Sequence, residues 1–319
     1  MNPLVSIIIP CHNAAPWLAE TLDSALAQTW PNREVILVDD GSTDGSAAIA
    51  RGFASRGVRL LSQPNRGAAA ARNAGLAAAT GALIQFLDAD DLLDSGKIEC
   101  QVREWTAGDP SRLLSGAWAR FRGSPAGAGF APEANWRDLS GVEFLQLHFE
   151  QGCMMHPAAW LSPRALLDRA GPWDERLSLN DDGEYFARAM LAATGIRFCA
   201  AARSYYRSGL ARSLSGRKDA AALESLGRSF ELIIGHLAAA DASPRTRAAA
   251  AYAWKWLAFE LYPGRPALAR AAEARAAALG GSPRPVPAGP WFHRAARLVG
   301  WRAAKRLRDW TLRLRRGRA

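Results

Sequence analysis

Residues 84–91 read IQFLDADD, an apolar run closed by three carboxylates, Asp88, Asp90 and Asp91, within four positions. Carboxylate oxygens suit a hard divalent cation, which commonly bridges protein to substrate phosphates; Asp is equally an ordinary turn residue. A second group is VDDGSTDGS at 38–46. There Asp39 or Asp40 offers acceptors to a nucleobase or ribose, while Gly41, Ser42 and Asp44 also fit a turn and a helix cap. In QPNRGAAAARNAG, 63–75, Arg66 and Arg72 are the only charges, and a guanidinium suits phosphate oxygens as well as plain solubility. Finally LNDDGEYFARAM, 179–190, gathers Asp181, Asp182 and Glu184 at the start of a helical run. The helix macrodipole favours anions there, and a carboxylate aimed into a pocket would make a general base.

The elements that must hold these groups follow from periodicity. Four β-rich runs, 5–9, 34–39, 58–62 and 82–88, alternate with helical stretches at 15–28, from 40–46 onward and at 67–79. This βαβαβαβ order predicts an α/β fold with a Rossmann-like, mainly parallel sheet flanked by helices. Ligands of such sheets bind beyond the carboxyl ends of the strands, where DDGS and DADD both fall. Past residue 95 the pattern predicts a helix at 95–106, a strand at 112–118, a Gly/Pro-rich loop at 122–135 and helices at 140–149 and 163–169. A capped helix in the second half of 171–195 follows, then strands at IRFCA and RSYYR. From Lys218 on, segments broken at 243–245 and 263–266 read as helices only.

At 319 residues the chain suits one large domain with an appendage. Cys11, Cys100, Cys153 and Cys199 stand far apart without a C-x-x-C pair, which argues against a zinc knuckle or a disulfide scaffold. No charged leader and no run of about 18 apolar residues occurs, so a cytoplasmic protein is expected. Charge is segregated. Of 40 Lys/Arg and 30 Asp/Glu, Gly264 to the end holds 14 and 2, leaving 26 and 28 for residues 1–263.

In this order the clusters resemble a family 2 glycosyltransferase of the GT-A fold. The likeness runs from SIIIPCHNAAPWLAETLDSALAQTW (6–30) through VILVDDGSTDGS, NRGAAAARNAG and IQFLDADDLL to GPWDERLSLNDDGEYFARAM and YYRSGLARSLSG (205–216). It implies a transferase domain over 1–216, with a nucleotide-sugar half (1–95) and an acceptor half (96–216), followed by a helical extension over 217–319. By resemblance, Asp40 meets the nucleobase with Pro10 and Asn13 nearby, and Arg72 faces the nucleotide. Asp88 and Asp90 match the DxD motif: Asp90 ligates a divalent cation (Mn2+ or Mg2+), and Asp88 lies near ribose and metal. Asp182 matches the catalytic base, with Asp181 and Glu184 on the acceptor side and Arg207 or Arg212 near the pyrophosphate; Asp91 caps the next helix. The implied reaction is an inverting transfer of one sugar from a nucleotide-diphosphate sugar, a UDP-sugar first among them. The implied acceptor is a saccharide or lipid-linked hydroxyl in cell-surface polysaccharide or glycolipid assembly. The sequence departs from the family at Asp181, where a Glu is usual, and at Ser208–Gly209, where many relatives carry a His. The Q-x-x-R-W of processive synthases is missing.

Two other readings stand beside it: a sugar nucleotidyltransferase, which should carry a Gly-rich basic loop where PCHNAAPW stands, and a non-catalytic nucleotide-sugar or partner-binding module. On one helix at ~100° per residue, Phe292, Ala296, Val299, Ala303, Leu307, Trp310 and Leu314 share a stripe, with Arg294, Arg297, Lys305, Arg308, Arg315 and Arg316 elsewhere. Segment 291–316 therefore fits an anionic membrane surface, on its inner face if the protein is cytoplasmic, or packing onto the domain. No nucleic-acid module is present, and no such partner is expected.

Overall fold

A computed structural model describes residues 2–210 and 216–316, with side chains as far as Leu312. Strands β1 (Val5–Cys11), β2 (Arg33–Asp40), β3 (Val58–Gln63) and β4 (Leu83–Phe86) form a parallel sheet in the order β3-β2-β1-β4. Every residue of β1 is buried, as expected of a strand covered on both faces. The connections run outward from β1 to β2 and β3, then return to β4 on its other side. That reversal opens a crevice beyond the ends of β1 and β4, and DADD leaves β4 directly into it.

Between these strands lie α1 (Ala15–Leu26), α2 (Ser46–Gly52) and α3 (Ala68–Ala78). Leu18, Leu22 and Ala25 of α1 pack with Val5, Ile7 and Ile9 on one face of the sheet. The alanine-rich α3 lies on the other, against Ile8, Ile36 and Val38. Its small side chains permit an unusually close approach: a Cβ on Gly75 would stand 2.3 Å from Ile8 Cγ2. Close seating fixes where α3 carries Arg72.

The next elements are β5 (Leu92–Leu93), α4 (Lys97–Ala107), β6 (Leu113–Phe121), α5 (Gly141–Gln151), β7 (Ser162–Pro163), α6 (Arg164–Ala170), α7 (Asp181–Ala192) and β8 (Ile196–Arg207). β7 joins the main sheet antiparallel to β4, while β5, β8 and β6 form a second sheet. The runs IRFCA and RSYYR are one strand, its ladder with β6 broken by a register shift between Gly116 and Ala117. β5 and β7, two residues each, escape any periodicity argument.

Helices α8 (Ala220–Ala240), α9 (Pro244–Leu261), α10 (Pro266–Ala278) and α11 (Gly289–Arg316) complete the described residues. Phe230, Ile233, Ile234 and Leu237 of α8 belong to the same core as Phe144, Phe149, Tyr185 and Ile8, so the extension shares its core with the sheet. The single stripe expected over 291–316 is corrected by Gly300, whose φ of 79° and ψ of 152° break α11 into two arms. Gly is the residue that adopts a left-handed φ without steric cost.

Candidate active site

Asp88 to Asp91 follow β4 in a tight turn closed by the Asp91 N–H donating to the Asp88 carbonyl at 3.0 Å. Arg72, rising from α3, is buried and divides its guanidinium between Asp88 (2.7 Å) and Asp181 (2.8 Å). It also lies 4.5 Å from the Trp173 ring centroid. Trp173 in turn stacks on Tyr185, centroids 4.0 Å apart at 9°, and Phe86 meets both rings edge-on. Asn73 and Trp173 exchange hydrogen bonds, Asn73 Nδ2 donating to the Trp173 carbonyl (3.0 Å) and the Trp173 N–H to Asn73 Oδ1 (2.9 Å). The sheet, α3 and the start of α7 are thus joined by one guanidinium. Burial alone would lower the Arg72 pKa, but Asp88 and Asp181 more than offset it and raise it instead.

The carboxylates without such a partner are strained electrostatically. Burial, then Asp91 and Asp88, push the Asp90 carboxyl up to about 7. Burial, then the Asp181 charge, push Asp182 up to about 6 against the pull of Arg72. Asp182 takes the Gly183 N–H at 2.9 Å. Asn180, left-handed at φ 59°, precedes it and donates to Ser229 Oγ of α8 at 2.9 Å. Ser225 Oγ accepts the N–H groups of Ser178 (2.8 Å) and Leu179 (2.9 Å), so α8 holds the loop that presents Asp182.

Several sequence expectations are corrected by position. Asp40 is buried: its carboxylate accepts from Arg66 N (2.9 Å), Gly67 N (2.8 Å) and Gln63 Nε2 (2.7 Å), which makes it a brace for the β3–α3 loop. Glu184 is turned away from the cleft, paired with Arg188 at 2.7 and 2.8 Å and with His236 at 3.3 Å. Asp181 engages Arg72. The Arg207 side chain donates to the Asp90 carbonyl (2.7 Å), the Gly123 carbonyl (3.1 Å) and Glu20 (2.6 Å), so each guanidinium nitrogen already has a protein partner. Arg212 lies outside the described residues.

Asp91 caps no helix, since α4 starts at Lys97 behind Gly96. It is buried, accepting from Arg207 N (2.8 Å) and from His156 Nδ1 (3.0 Å), while His156 Nε2 meets Ser204 Oγ at 2.9 Å. Burial, then the Asp88 charge, push Asp91 upward, and burial pushes His156 down to about 4. The imidazole is therefore neutral.

At the ends of β1 and β2, Asn13 adopts φ 53°, donates its N–H to Ser42 Oγ (3.0 Å) and accepts the Thr43 N–H (2.8 Å). Pro10 is buried within β1 beside it. The exposed His12, within 3.1 Å of Asn13 and Asn65 amide nitrogens, completes this rim and was missed from the sequence, as were Trp173, Asn73 and His156. His12 stands directly after β1, the position the strand-end rule could have marked.

The donor set fits a divalent cation. Asp90 is a carboxylate whose charge burial, Asp91 and Asp88 disfavour more than Arg207 offsets, and Asp88 stands beside it. No cluster of three or more His, Cys, Asp or Glu that could hold a metal occurs among the described residues. Mg2+ and Mn2+ sites of one or two carboxylates take the remaining ligands from phosphate and water.

Comparison with known proteins places this geometry. Residues 6–155 match the family model described as glycosyl transferase family 2. An uncharacterized glycosyltransferase of Bacillus subtilis, EpsJ, is 45% identical over 106 residues, 33% of this chain and 31% of its own length. Chondroitin synthase of Pasteurella multocida is 36% identical over 141 residues, 43% of this chain and 14% of its own. Another relative, RP339 of Rickettsia prowazekii, is 30% identical over 57% of each chain. The match thus spans about a third of EpsJ and little more than half of RP339. In three dimensions, S. aureus TarS 1-349 in complex with UDP-GlcNAc superposes with a TM-score of 0.64 at 18% identity, over 88% of this chain and 93% of that one. The mannosyltransferase PcManGT from Pyrobaculum calidifontis, in complex with GDP-Man and Mn2+, gives 0.57 at 22% identity over 97% and 83%. Residues 6–155 are therefore similar to glycosyl transferase family 2, and the fold is the GT-A fold.

Proposed function

We propose that this protein is an inverting glycosyltransferase that moves one sugar from a nucleotide-diphosphate sugar to an acceptor hydroxyl. The observation that carries the reading is the Arg72 bridge. One buried guanidinium holds Asp88, at the end of β4, and Asp181, at the start of α7, so the strand-end carboxylates and the helix start that carries the candidate base Asp182 lie on either side of a single fixed group. TarS with UDP-GlcNAc and PcManGT with GDP-Man support the donor class, and the match to a chondroitin synthase supports a saccharide acceptor in surface polysaccharide or glycolipid assembly. Transfer of single sugars is supported by the missing Q-x-x-R-W. No helix among the described residues is long and apolar enough to cross a membrane.

Asp90 and Asp88 would hold the divalent cation, Mn2+ or Mg2+, which when bound supplies charge neutralisation at the leaving diphosphate. Asp182, with its carboxyl near pH 6, is ionised at neutral pH yet basic enough to take a proton. It accepts the acceptor's hydroxyl proton as that oxygen bonds to the anomeric carbon and the bond from that carbon to the diphosphate breaks. Attack from the face opposite the leaving group inverts the centre. Arg72 holds Asp88 and Asp181 in place; the rim of His12, Asn13 and Asn65 receives the base end of the donor. Asp40 acts on the donor indirectly, through the loop it braces.

The test is transfer from UDP-sugars in the presence of Mn2+, read as release of nucleoside diphosphate and stereochemistry of the product. Asp182→Asn should lower kcat ~10²–10⁴-fold and leave donor affinity intact. A near-normal rate, or a product with retained configuration, would refute the reading.

A further inference from the structure

Seven large apolar side chains stand exposed among the described residues, and six of them lie on α11. Leu298 is 86% exposed, Val299 and Trp310 each 59%, and Leu307 43%. Val299, Leu307 and Trp310 belong to the stripe that the sequence offers to a membrane or to the protein body, and Leu298 lies beside it. Packing, however, takes only Phe292 and Ala296 from that stripe and otherwise uses other side chains. Phe292 and Ala304 are buried in a small core with Phe259. Lys305 Nζ and the Arg308 guanidinium lie 4.2 and 4.9 Å from the Phe259 ring centroid, and Trp301 Nε1 donates to Glu273 of α10 at 3.2 Å. The break at Gly300 makes this possible: the first arm buries Phe292, the second buries Ala304, and Val299 and Leu307 face outward.

The outward edge is framed by charge. Residues 289–316 carry nine Lys/Arg and one Asp, and Arg294 and Arg297 stand exposed beside Leu298. An apolar edge flanked by basic residues and tipped by a tryptophan is the pattern of a helix lying in a lipid interface. A second copy of this chain would bring the same positive face to the same edge and repel it. We propose that α11 seats the protein on an anionic lipid bilayer through Leu298, Val299, Leu307 and Trp310, with Arg294 and Arg297 meeting headgroups. The inference is independent of the reaction assigned to the cleft.

The experiment is flotation of the full chain with vesicles of phosphatidylcholine alone or mixed with phosphatidylglycerol. Wild type should float with the anionic vesicles, weakly with the neutral ones, and less as salt rises. Leu307→Glu/Trp310→Glu should lose binding at least about tenfold. Arg294→Gln/Arg297→Gln should bind more weakly and with less salt dependence. None of these four side chains is buried, so the melting curves of both variants should overlay that of wild type. Equal flotation of the Leu307→Glu/Trp310→Glu variant and wild type would overturn the proposal, as would indifference to lipid charge. So would a size-exclusion shift from dimer to monomer in that variant, since a second copy would then be what covers the edge.

Discussion

Asp90 and Asp182 hold carboxyls that the fold resists ionising, and that resistance is measurable. In an unfolded chain an Asp titrates near its model value of 3.8, whereas Asp90 in the folded protein titrates near 7. The folded state therefore binds this proton more tightly, and the ionised form costs stability that builds up between those two values and is complete above 7. With cation absent, Asp90→Asn should raise stability at pH 8 by on the order of 2 kcal/mol, after allowance for solvent screening, and change nothing below pH 4. Mn2+ should raise the Tm of wild type at pH 8 and leave that of Asp90→Asn unmoved; equal shifts would remove Asp90 from the metal site. The pair Asp88 and Asp90 was legible because the strand before it is apolar and its end is acidic. The bracing part of Asp40 was not legible for a physical reason. Its donors, Arg66 N and Gly67 N, are backbone amides 26 and 27 residues away, and no side-chain pattern announces a bond to a backbone amide.

Among the elements, α8 carries an unexpected part of the site. Ser225 and Ser229 fasten residues 178–180 through hydrogen bonds of 2.8 to 2.9 Å, and Asp182 begins the next turn. Each such bond is worth ~1 kcal/mol, which corresponds to about fivefold in a rate if it is spent on positioning. Ser229→Ala should therefore lower kcat by about fivefold with the donor KM unchanged, while the acid limb of the pH–rate profile stays near pH 6. Stability should fall by only ~1 kcal/mol; a proportional rise in KM would show that the serine acts on donor binding instead. The alternation of β1 to β4 with α1 to α3 was readable because each element exceeds the period that reveals it. β5 and β7 were not, being two residues long, and β8 was split in the reading because small residues, Ala200 to Ala202, interrupt its pattern. Trp173 gave no signal either: its partners Arg72 and Tyr185 meet it only after α3 and α7 have converged.

For the whole molecule, composition separated a near-neutral body from a basic tail but could not show that the two halves share a core. Leu223, Leu226, Phe230, Ile233, Ile234 and Leu237 of α8 are buried in the same core as Ile8, Phe86 and Tyr185. At ~1.5–3 kcal/mol for each fully buried side chain, their loss amounts to about 10 kcal/mol, as large as the whole stability of a typical domain. A chain cut at 216 should consequently fail to give a cooperative melt and should expose apolar surface. A chain cut at 285 loses α11 and its contacts with Phe259, a separate small cluster, and should melt cooperatively a few degrees lower. Circular dichroism melts and dye binding on the two truncations separate these outcomes. A cooperative, transfer-competent 1–216 fragment would make the helices an accessory, whereas its collapse with 1–285 intact makes α8 to α10 part of the catalytic unit and leaves α11 alone as the detachable element.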